Sequence, residues 1–503
     1  MLATIAAERE STAGFPEFLE THARWVVIGF SALYWAATWH TASTKPLWND
    51  EIVTRYIAGI PGIRELLKTL STGIDGQTPL FFLVTRLTGA NGSPLGLRLP
   101  GMIGVWTAAL CLYAFVSRRT YRACGLFAMF LPLLLGTAAY AHDARPYGLL
   151  LGGAAATLLC WQAAAENQRR RWTVLLLWAA ATFTVAISYY GVFVLVPLGI
   201  GELMRWRQNG RPDLVVWSAL ALALAPLAIE YPVMRALKAS IGVFWLKPKL
   251  LGATYGYYET MLAPAASLAA GLLVVALLRP VLFRASFAKP QPWPRAAVPE
   301  LVAIAGVTAL PVLYVLSGLV TGAFVPRYAI VGMTGFCAGV GFLLYHDRTL
   351  AALCVVVAGL QFAGLAGLQL RKTEVPRVLH LPPESGPDRL PVVLSGPNEF
   401  VETRYYASPE LAARLYYVAD PPLALQYAET DSVDLVAQKL TRIAPVQVEN
   451  YTTFTSRHSR FLVVYRRYEV FGWILNKLQD DGASIALRSL GDDETVYEVS
   501  LRK

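Results

Sequence analysis

Charge is what this chain of 503 residues has least of. Only 16% of its residues are Asp, Glu, Lys or Arg, against roughly 25% in ordinary soluble proteins. With 55% hydrophobic residues and a mean hydropathy of +0.44, that shortage excludes a single soluble domain. Cysteine is scarce too. The five cysteines, Cys111, Cys124, Cys160, Cys337 and Cys354, fall in or beside apolar runs with no metal-type spacing and read as packing residues. The residues after 370 contain none, so disulfides do not hold that part together. They also lack a glycine-rich phosphate loop, and no repeat at a solenoid period stands out. The net charge of +10 comes with no RNA- or DNA-binding motif and reads as loop charge plus a phosphate site. The N-terminus does not read as a signal peptide either. Residues 1–23 carry Glu8, Glu10, Glu17 and Glu20, and the first apolar run opens only near Arg24, so that run reads as a retained helix.

What is there is a succession of apolar runs. A spanning helix needs about 20 largely apolar residues. Eleven runs qualify: 24–43, 98–117, 123–140, 147–165, 172–187, 190–205, 213–231, 263–280, 299–318, 328–345 and 349–370. The fifth and sixth, split by Ser188-Tyr189-Tyr190-Gly191, are short enough to form one bent segment. One set of connections is short and basic: Arg118-Arg119-Thr120-Tyr121-Arg122, Arg169-Arg170-Arg171, Arg205-Trp206-Arg207 with Arg211, residues 279–295, and His346-Asp347-Arg348. The positive-inside rule makes these cytoplasmic. The alternate set, 44–97, 141–146, 188–190, 232–262 and 319–327, then faces outward. The expectation is a polytopic α-helical membrane protein of about eleven helices, with its N-terminus cytoplasmic and its C-terminal end outside.

The first outer loop, 44–97, contains amphipathic pieces at Ile52–Ala58 and Ile63–Leu70, a turn at 73–79, and an apolar piece at Leu80–Leu87 too short to span. These suit the membrane surface. The other long outer loop, 232–262, mixes Phe244, Trp245, Tyr255, Tyr257 and Tyr258 with Lys238, Lys247 and Lys249, as an interface with lipid headgroups would. Residues 371–389, rich in proline and charge, read as a linker. From 390 to 503 strands are expected at Pro391–Leu394, Phe461–Tyr465, Ser484–Leu490 and Thr495–Leu501, the last two as a hairpin around Gly491-Asp492-Asp493. Helices are expected at Pro409–Tyr416, Ser432–Leu440 and Phe471–Gln479. That alternation predicts a small soluble α/β domain.

Five short stretches stand in order at helix ends: Trp48-Asn49-Asp50-Glu51, Thr78-Pro79-Leu80-Phe81-Phe82, Leu97-Arg98-Leu99-Pro100-Gly101, Asp143-Ala144-Arg145-Pro146-Tyr147 and Pro326-Arg327-Tyr328. Together they resemble the polyprenyl-phosphate-dependent glycosyltransferases of the GT-C fold. The likeness is greatest to bacterial family 39-like enzymes, a group that includes protein O-mannosyltransferases and lipid A aminoarabinose transferases. It covers roughly residues 24–345, and so a module over 1–370. Two departures are visible. Gln77-Thr78-Pro79 lacks the family's common His before proline, and Asp143 stands where many relatives have Glu.

The resemblance implies transfer of a sugar, with inversion, from a polyprenyl-phosphate donor to a hydroxyl of an envelope lipid, glycan or protein. The site would face the periplasm from the bacterial inner membrane, with the C-terminal α/β domain on the same side. A phosphate leaving group needs charge stabilisation more than an acid, whereas an acceptor hydroxyl needs a base. The family pattern gives that role to Asp50. The competing reading is that Asn49 or Asp50 caps a helix over residues 51–58. Glu51 reads as a structural acid or a metal neighbour. Asp143 either orients the acceptor or Arg145, or is a turn residue paired to that arginine. Arg327 is the best phosphate clamp, because guanidinium meets phosphate bidentately; the alternative is an arginine snorkelling to the interface. Arg145, Lys247 and Lys249 are further donor-phosphate candidates, with headgroup contact the other reading of the lysines. Tyr189 and Tyr190 read as interface aromatics. His142 beside Asp143 does not make a metal site, and since some relatives use a divalent cation and others do not, none is assigned. The reading from another class is a transporter or lipid flippase. Transporters place polar groups near the membrane midplane in matching halves, whereas here the polar residues gather at one face and no halves match.

Overall fold

The computed structural model describes residues 2–89, 92–166, 170–246, 248–283, 293–377, 379–381, 389–467, 469, 471–491 and 493–502. Lys247, Arg169, residues 284–292 of the 279–295 loop, residues 382–388 of the expected linker and Asp492 of the expected hairpin turn lie outside the described residues.

A helical bundle comes first: α1 (Leu2–Thr44), α2 (Asn49–Ala58), α3 (Ile63–Leu70), α4 (Pro79–Gly89), α5 (Pro94–Ser117), α6 (Arg122–Leu134), α7 (Tyr147–Ala164), α8 (Arg170–Ile187), α9 (Leu195–Asn209), α10 (Leu214–Leu222), α11 (Ala225–Ser240), α12 (Leu250–Leu262), α13 (Ala266–Phe283), α14 (Val298–Thr321), α15 (Gly332–Leu343) and α16 (Arg348–Arg371). Each of the eleven apolar runs coincides with helix, some of it 3-10. Among the described residues, six helical stretches are long and apolar enough to cross a membrane: Pro94–Ser117, Tyr147–Ala164, Leu214–Ser240, Leu250–Val275, Arg295–Thr321 and Arg348–Arg371. A seventh is α6 with the 3-10 turn Gly136–His142, bent by 73°. Pro132 in the last turns of α6 removes a backbone donor, a common cause of such a bend.

Helix ends follow local chemistry. The Ser93 hydroxyl accepts the Gly96 amide at 3.1 Å ahead of Pro94 at the first position of α5. Asp347 accepts the Leu350 amide at 2.9 Å to open α16. Close packing of α5 on α7 depends on glycine. A Cβ at Gly104 would lie 2.2 Å from the Gly148 carbonyl oxygen, and one at Gly152 would lie 2.4 Å from that of Gly104. Small residues let the two backbones touch, which draws the loop 143–146 at the start of α7 against the bundle.

The pieces expected in 44–97 appear as α2, α3 and α4. The expected outer loop 232–262 does not. Its first part continues α11 to Ser240 and its last part is α12, leaving only 241–249 between helices. Interleaved tyrosines, lysines and Glu259 lower the apolar signal there, yet Tyr257 is fully buried under α14.

The C-terminal part is a six-stranded sheet of order β3-β2-β1-β4-β6-β5. Its strands are β1 (Val392–Leu394), β2 (Leu415–Val418), β3 (Val448–Glu449), β4 (Arg460–Arg466), β5 (Ser484–Leu490) and β6 (Glu494–Ser500). The first four are parallel, and β6 runs antiparallel to both β4 and β5. Helices α17 (Pro397–Tyr406), α18 (Pro409–Ala412), α19 (Pro421–Ala428), α20 (Ser432–Leu440), α21 (Tyr451–Arg457) and α22 (Ile474–Asp480) cover it. Side chains alternate between two cores, as a pleated strand requires. Val392, Leu394, Leu462 and Val464 join Phe400 of α17 and Leu440 of α20 in the core that continues into the bundle. Val393, Phe461 and Val463 pack with Phe454 and Leu478 on the other face. The helix expected over Pro409–Tyr416 is one turn long, because its β-prone end, Leu415–Val418, is instead the strand between β1 and β3.

Candidate active site

The loop 45–48 leaves α1 and turns into α2. Trp48, in extended conformation, stands at the N-cap of α2. The Glu51 carboxylate reaches back to the Trp48 amide at 3.3 Å, the return bond of a capping box. Neither Asn49 nor Asp50 is the cap, so the capping alternative for Asp50 falls away. One helical step separates the two acids and sends them in different directions. Glu51 turns inward to Arg98, at 2.7 Å from Nε and 2.5 Å from Nη2, with neither side chain accessible. Arg98 spends its other donors on the carbonyls of Ala42, Lys45 and Pro46. Glu51 also accepts the Ala144 amide at 2.8 Å, tying α2 to the loop before α7. Asp50 turns outward into a cavity.

That cavity has a volume of about 410 Å³. Its charged floor is Asp50, Asp75, Arg145 and Arg327. Asp50 Oδ2 lies 3.1 Å from Arg327 Nη2 and 3.7 Å from Arg145 Nε. Asp50 and Arg327 keep 20% and 27% of their side-chain surface accessible, so this pair is open where Glu51 and Arg98 are sealed. Arg145 is held from behind by Asp75, at 2.8 and 3.3 Å, and by the Thr54 hydroxyl at 3.0 Å. Burial works against both guanidinium charges, but Asp75 and Asp50 outweigh it at Arg145, and Tyr147 and Asp50 at Arg327, so both stand above the ordinary arginine range. Three atoms on this floor, Asp50 Oδ2, Arg145 Nε and Arg327 Nε, are buried without a hydrogen-bond partner. Arg327 lies over the rings of Trp48 and Tyr147, with its Cζ 5.7 and 5.8 Å from their centroids. Tyr328 stacks on Tyr190 at 4.7 Å, so Tyr190 buttresses the floor.

The upper walls are apolar and come from two parts of the chain. Leu237, Ile241, Phe244 and Trp245 belong to the bundle, and Val401, Val433, Val436 and Phe471 to the sheet unit. Trp245 meets Phe471 edge-on at 5.9 Å. On the far side of Trp48 and Asn49 lies a second, polar cavity of about 390 Å³, reached by Lys45, Arg377, Asn398, Glu402 and Arg466.

Of the residues expected from sequence, Asp50, Arg145 and Arg327 come together. Asp143 sits just behind them, accepting the Trp48 indole N–H at 3.0 Å. Burial, then the Glu51 charge, raises its carboxyl to about 6. It does not pair with Arg145, whose partners are Asp75 and Asp50. Glu51 is the buried partner of Arg98. Lys249, ahead of α12, is not among the residues lining the cavity. Asp75 escaped notice because it reads as an ordinary turn residue between Gly73 and Gly76. The sheet-unit walls carry no sequence signal at all. Among the described residues no three His, Cys, Asp or Glu side chains gather as a metal-ligand set.

No family model and no curated sequence matches this chain. Its structure does have counterparts. ArnT from Cupriavidus metallidurans in the apo state superposes with a TM-score of 0.55 at 13% identity, covering 95% of this chain and 98% of that one. The chain has the GT-C fold. ArnT bound to undecaprenyl phosphate matches with a TM-score of 0.54 at 13% identity over 94% of this chain and 98% of its own. The oligosaccharyltransferase of Archaeoglobus fulgidus is more distant, at a TM-score of 0.41 and 11% identity over 87% of this chain and 67% of that one. Within the GT-C fold, the α2–α4 segment, the turns at Arg145 and Arg327, residues 237–245 and the sheet unit are the parts that frame the Asp50 cavity here.

Proposed function

We propose that this chain is a family 39-like membrane glycosyltransferase. It moves a hexose or pentose from a polyprenyl-phosphate carrier to a hydroxyl of an envelope lipid, glycan or protein, at the periplasmic face of the bacterial inner membrane. One observation carries the reading. A carboxylate and two guanidiniums converge, each with a buried atom lacking a hydrogen bond, on the floor of a cavity whose remaining walls are largely apolar. Such a cavity suits a phosphate on a lipid chain. The undecaprenyl phosphate bound in the ArnT structure supports a carrier of that kind. In the proposed topology the basic loops around Arg119 and Arg205 are cytoplasmic, as is the N-terminus. The catalytic module spans 1–370, the linker 371–389, and the periplasmic α/β unit 390–503.

The chemistry follows from the charges. A donor phosphate arriving at Arg327 and Arg145 competes with Asp50 for them and loosens its ion pairs. The acceptor oxygen attacks the anomeric carbon from the face opposite the phosphate, so configuration inverts. The bond from that carbon to the phosphate oxygen breaks, and polyprenyl phosphate leaves as an anion stabilised by the guanidiniums. The acceptor proton passes to Asp50. Glu51 and Asp143 hold the loop geometry. Lys247 and Lys249 meet lipid headgroups or the outer part of the donor. A transporter or flippase would hold its polar groups near the midplane, and these gather where helices end.

Asp50→Asn keeps the shape and removes the base. Transfer should fall by about 10²–10⁴-fold while folded yield stays the same. Mass spectrometry of cells carrying the variant should show the lipid-linked donor accumulating and one envelope sugar missing. Undiminished transfer by Asp50→Asn would sink the base assignment.

A further inference from the structure

Helix α17 carries Asn398, Glu402 and Tyr406 at intervals of four, which puts them on one helix face. All three side chains reach the start of α2, at its first residue Asn49 or at Leu47 just ahead of it. Glu402 Oε1 accepts the backbone amide of Asn49 at 2.9 Å. Asn398 Oδ1 accepts the side-chain amide of Asn49 at 2.8 Å. The Tyr406 hydroxyl accepts the Leu47 amide at 2.6 Å and donates to the Leu47 carbonyl at 3.3 Å. The same Asn49 Nδ2 that Asn398 holds also donates to Asp50 Oδ1 at 3.4 Å. The other oxygen, Oδ2, faces Arg327 and Arg145. The carboxylate is therefore oriented from both sides, by arginines of the bundle and by an amide that the sheet unit aims.

The two bonds of Asn49 Nδ2 differ in strength. At 2.8 Å the bond to Asn398 is near the usual N–H···O optimum, and at 3.4 Å the bond to Asp50 is at the weak end. The stronger contact sets the direction of the amide and so governs the weaker one. Asn398 is itself exposed, on the rim shared by the apolar and the polar cavity. An exposed amide adds little to folding, so its loss need not loosen the docking that Glu402, Tyr406 and the apolar contacts provide.

We propose that Asn398 is a positioning residue for Asp50, and that through it the sheet unit takes part in the reaction. This rests on the reading of Asp50 as the base. The test uses the full-length chain purified in detergent, with bacterial membrane vesicles as the source of donor and acceptor. Loss of polyprenyl-phosphate-linked sugar is followed by mass spectrometry. Asn398→Ala should lower the maximal rate by about tenfold or more and change the half-saturating amount of vesicles by less than about twofold. Asn398→Asp keeps an acceptor for Asn49 and should recover rate at high pH. Its added charge beside Asp50 should move the acid limb of the rate profile up by about half a pH unit or more. Thermal midpoints of both variants should match the parent. A parental rate for Asn398→Ala, a parental acid limb for Asn398→Asp, or rate losses that simply track a lowered midpoint would each overturn the proposal. Asp50→Asn run alongside separates the two readings. If it is inactive while both Asn398 variants behave as the parent, only the positioning role fails; if it is fully active, the base itself is wrong.

Discussion

Asp50 and Glu51 are adjacent acids with opposite environments, and that contrast can be measured. Glu51 sits with Arg98 where neither side chain is accessible. Removing one member of a buried ion pair strands the other, at about 3–5 kcal/mol. Glu51→Gln should therefore lower the thermal midpoint of the detergent-solubilised chain markedly and cut its folded yield. Asp50→Asn, in a partly open ion pair, should leave the midpoint nearly unchanged. Equal midpoints for the two variants would contradict the assignment of Glu51 to structure and Asp50 to chemistry. At this scale much of the site was legible from sequence. Asp50, Arg145 and Arg327 stand out because charge at the end of an apolar helix is costly unless it is used or paired. Asp75 and Asn398 were not legible. Asp75 lies in a polar turn where an aspartate needs no explanation. Asn398 meets Asn49 across 349 positions of sequence, and no local pattern encodes such a contact.

Among the elements, the apolar helices announced themselves through length, and those interrupted by polar aromatics did not. Residues 232–262 read as loop because tyrosine, lysine and glutamate dilute the apolar signal, although these residues are tolerated in a helix. In the sheet, the apolar run of β1 is legible as a strand, whereas β3 has two residues, too few for an alternation to register. Helix α17 was missed because Glu399, Glu402 and Arg404 make it look solvated. What holds the sheet unit together includes a buried acid. Asp434 accepts from the Tyr417 hydroxyl at 2.5 Å, the Asp420 amide at 2.9 Å and the Trp473 indole at 3.1 Å. Burial raises its carboxyl from 3.8 to about 6 despite those donors. The folded unit thus binds more protons than the unfolded chain between about pH 4 and 6. Linkage then makes the contribution of Asp434 to stability fall as pH rises through that window and stay level above it. Relative to Asp434→Asn, the parent should lose on the order of 2–3 kcal/mol from pH 4 to pH 6.5. Hydrogen exchange of the β2 and α20 amides at the two pH values measures it. A difference between parent and variant that does not change with pH would refute the buried-charge account.

On the scale of the whole molecule, two polar clusters mark the two ends of the bundle. At the end away from Asp50, Arg119 pairs with the buried Glu300 at 2.7 Å, Gln162 donates to Glu300 at 2.9 Å, and Arg205 pairs with Glu202 at 2.6 Å. The basic loops that suggested an orientation are thus partly neutralised, and they clasp helices to one another. At the Asp50 end the sheet unit is fastened to the bundle beside the cavity. Asp431 accepts the Val243 amide at 2.6 Å, Lys439 donates to the Ser240 carbonyl at 2.9 Å, and Thr430 donates to the Val243 carbonyl at 2.8 Å. These contacts lie next to the apolar walls from α20 and residues 237–245, away from the Asn398–Asn49 contact. In the reaction proposed above, these apolar walls would meet the lipid part of the donor and not its reacting carbon, so their contacts would be the same before and during reaction. Interactions of that kind set KM and leave kcat alone. Asp431→Ala combined with Lys439→Ala should loosen one wall from the other and raise the half-saturating donor concentration by about tenfold, with the maximal rate retained. That pattern is the reverse of the one expected for Asn398→Ala. Rates measured against vesicle concentration for the two sets of variants decide between them. If the double variant instead lowers the maximal rate at unchanged half-saturation, the apolar walls are not the donor's binding surface, and the division between a binding wall and a positioning helix within the sheet unit fails.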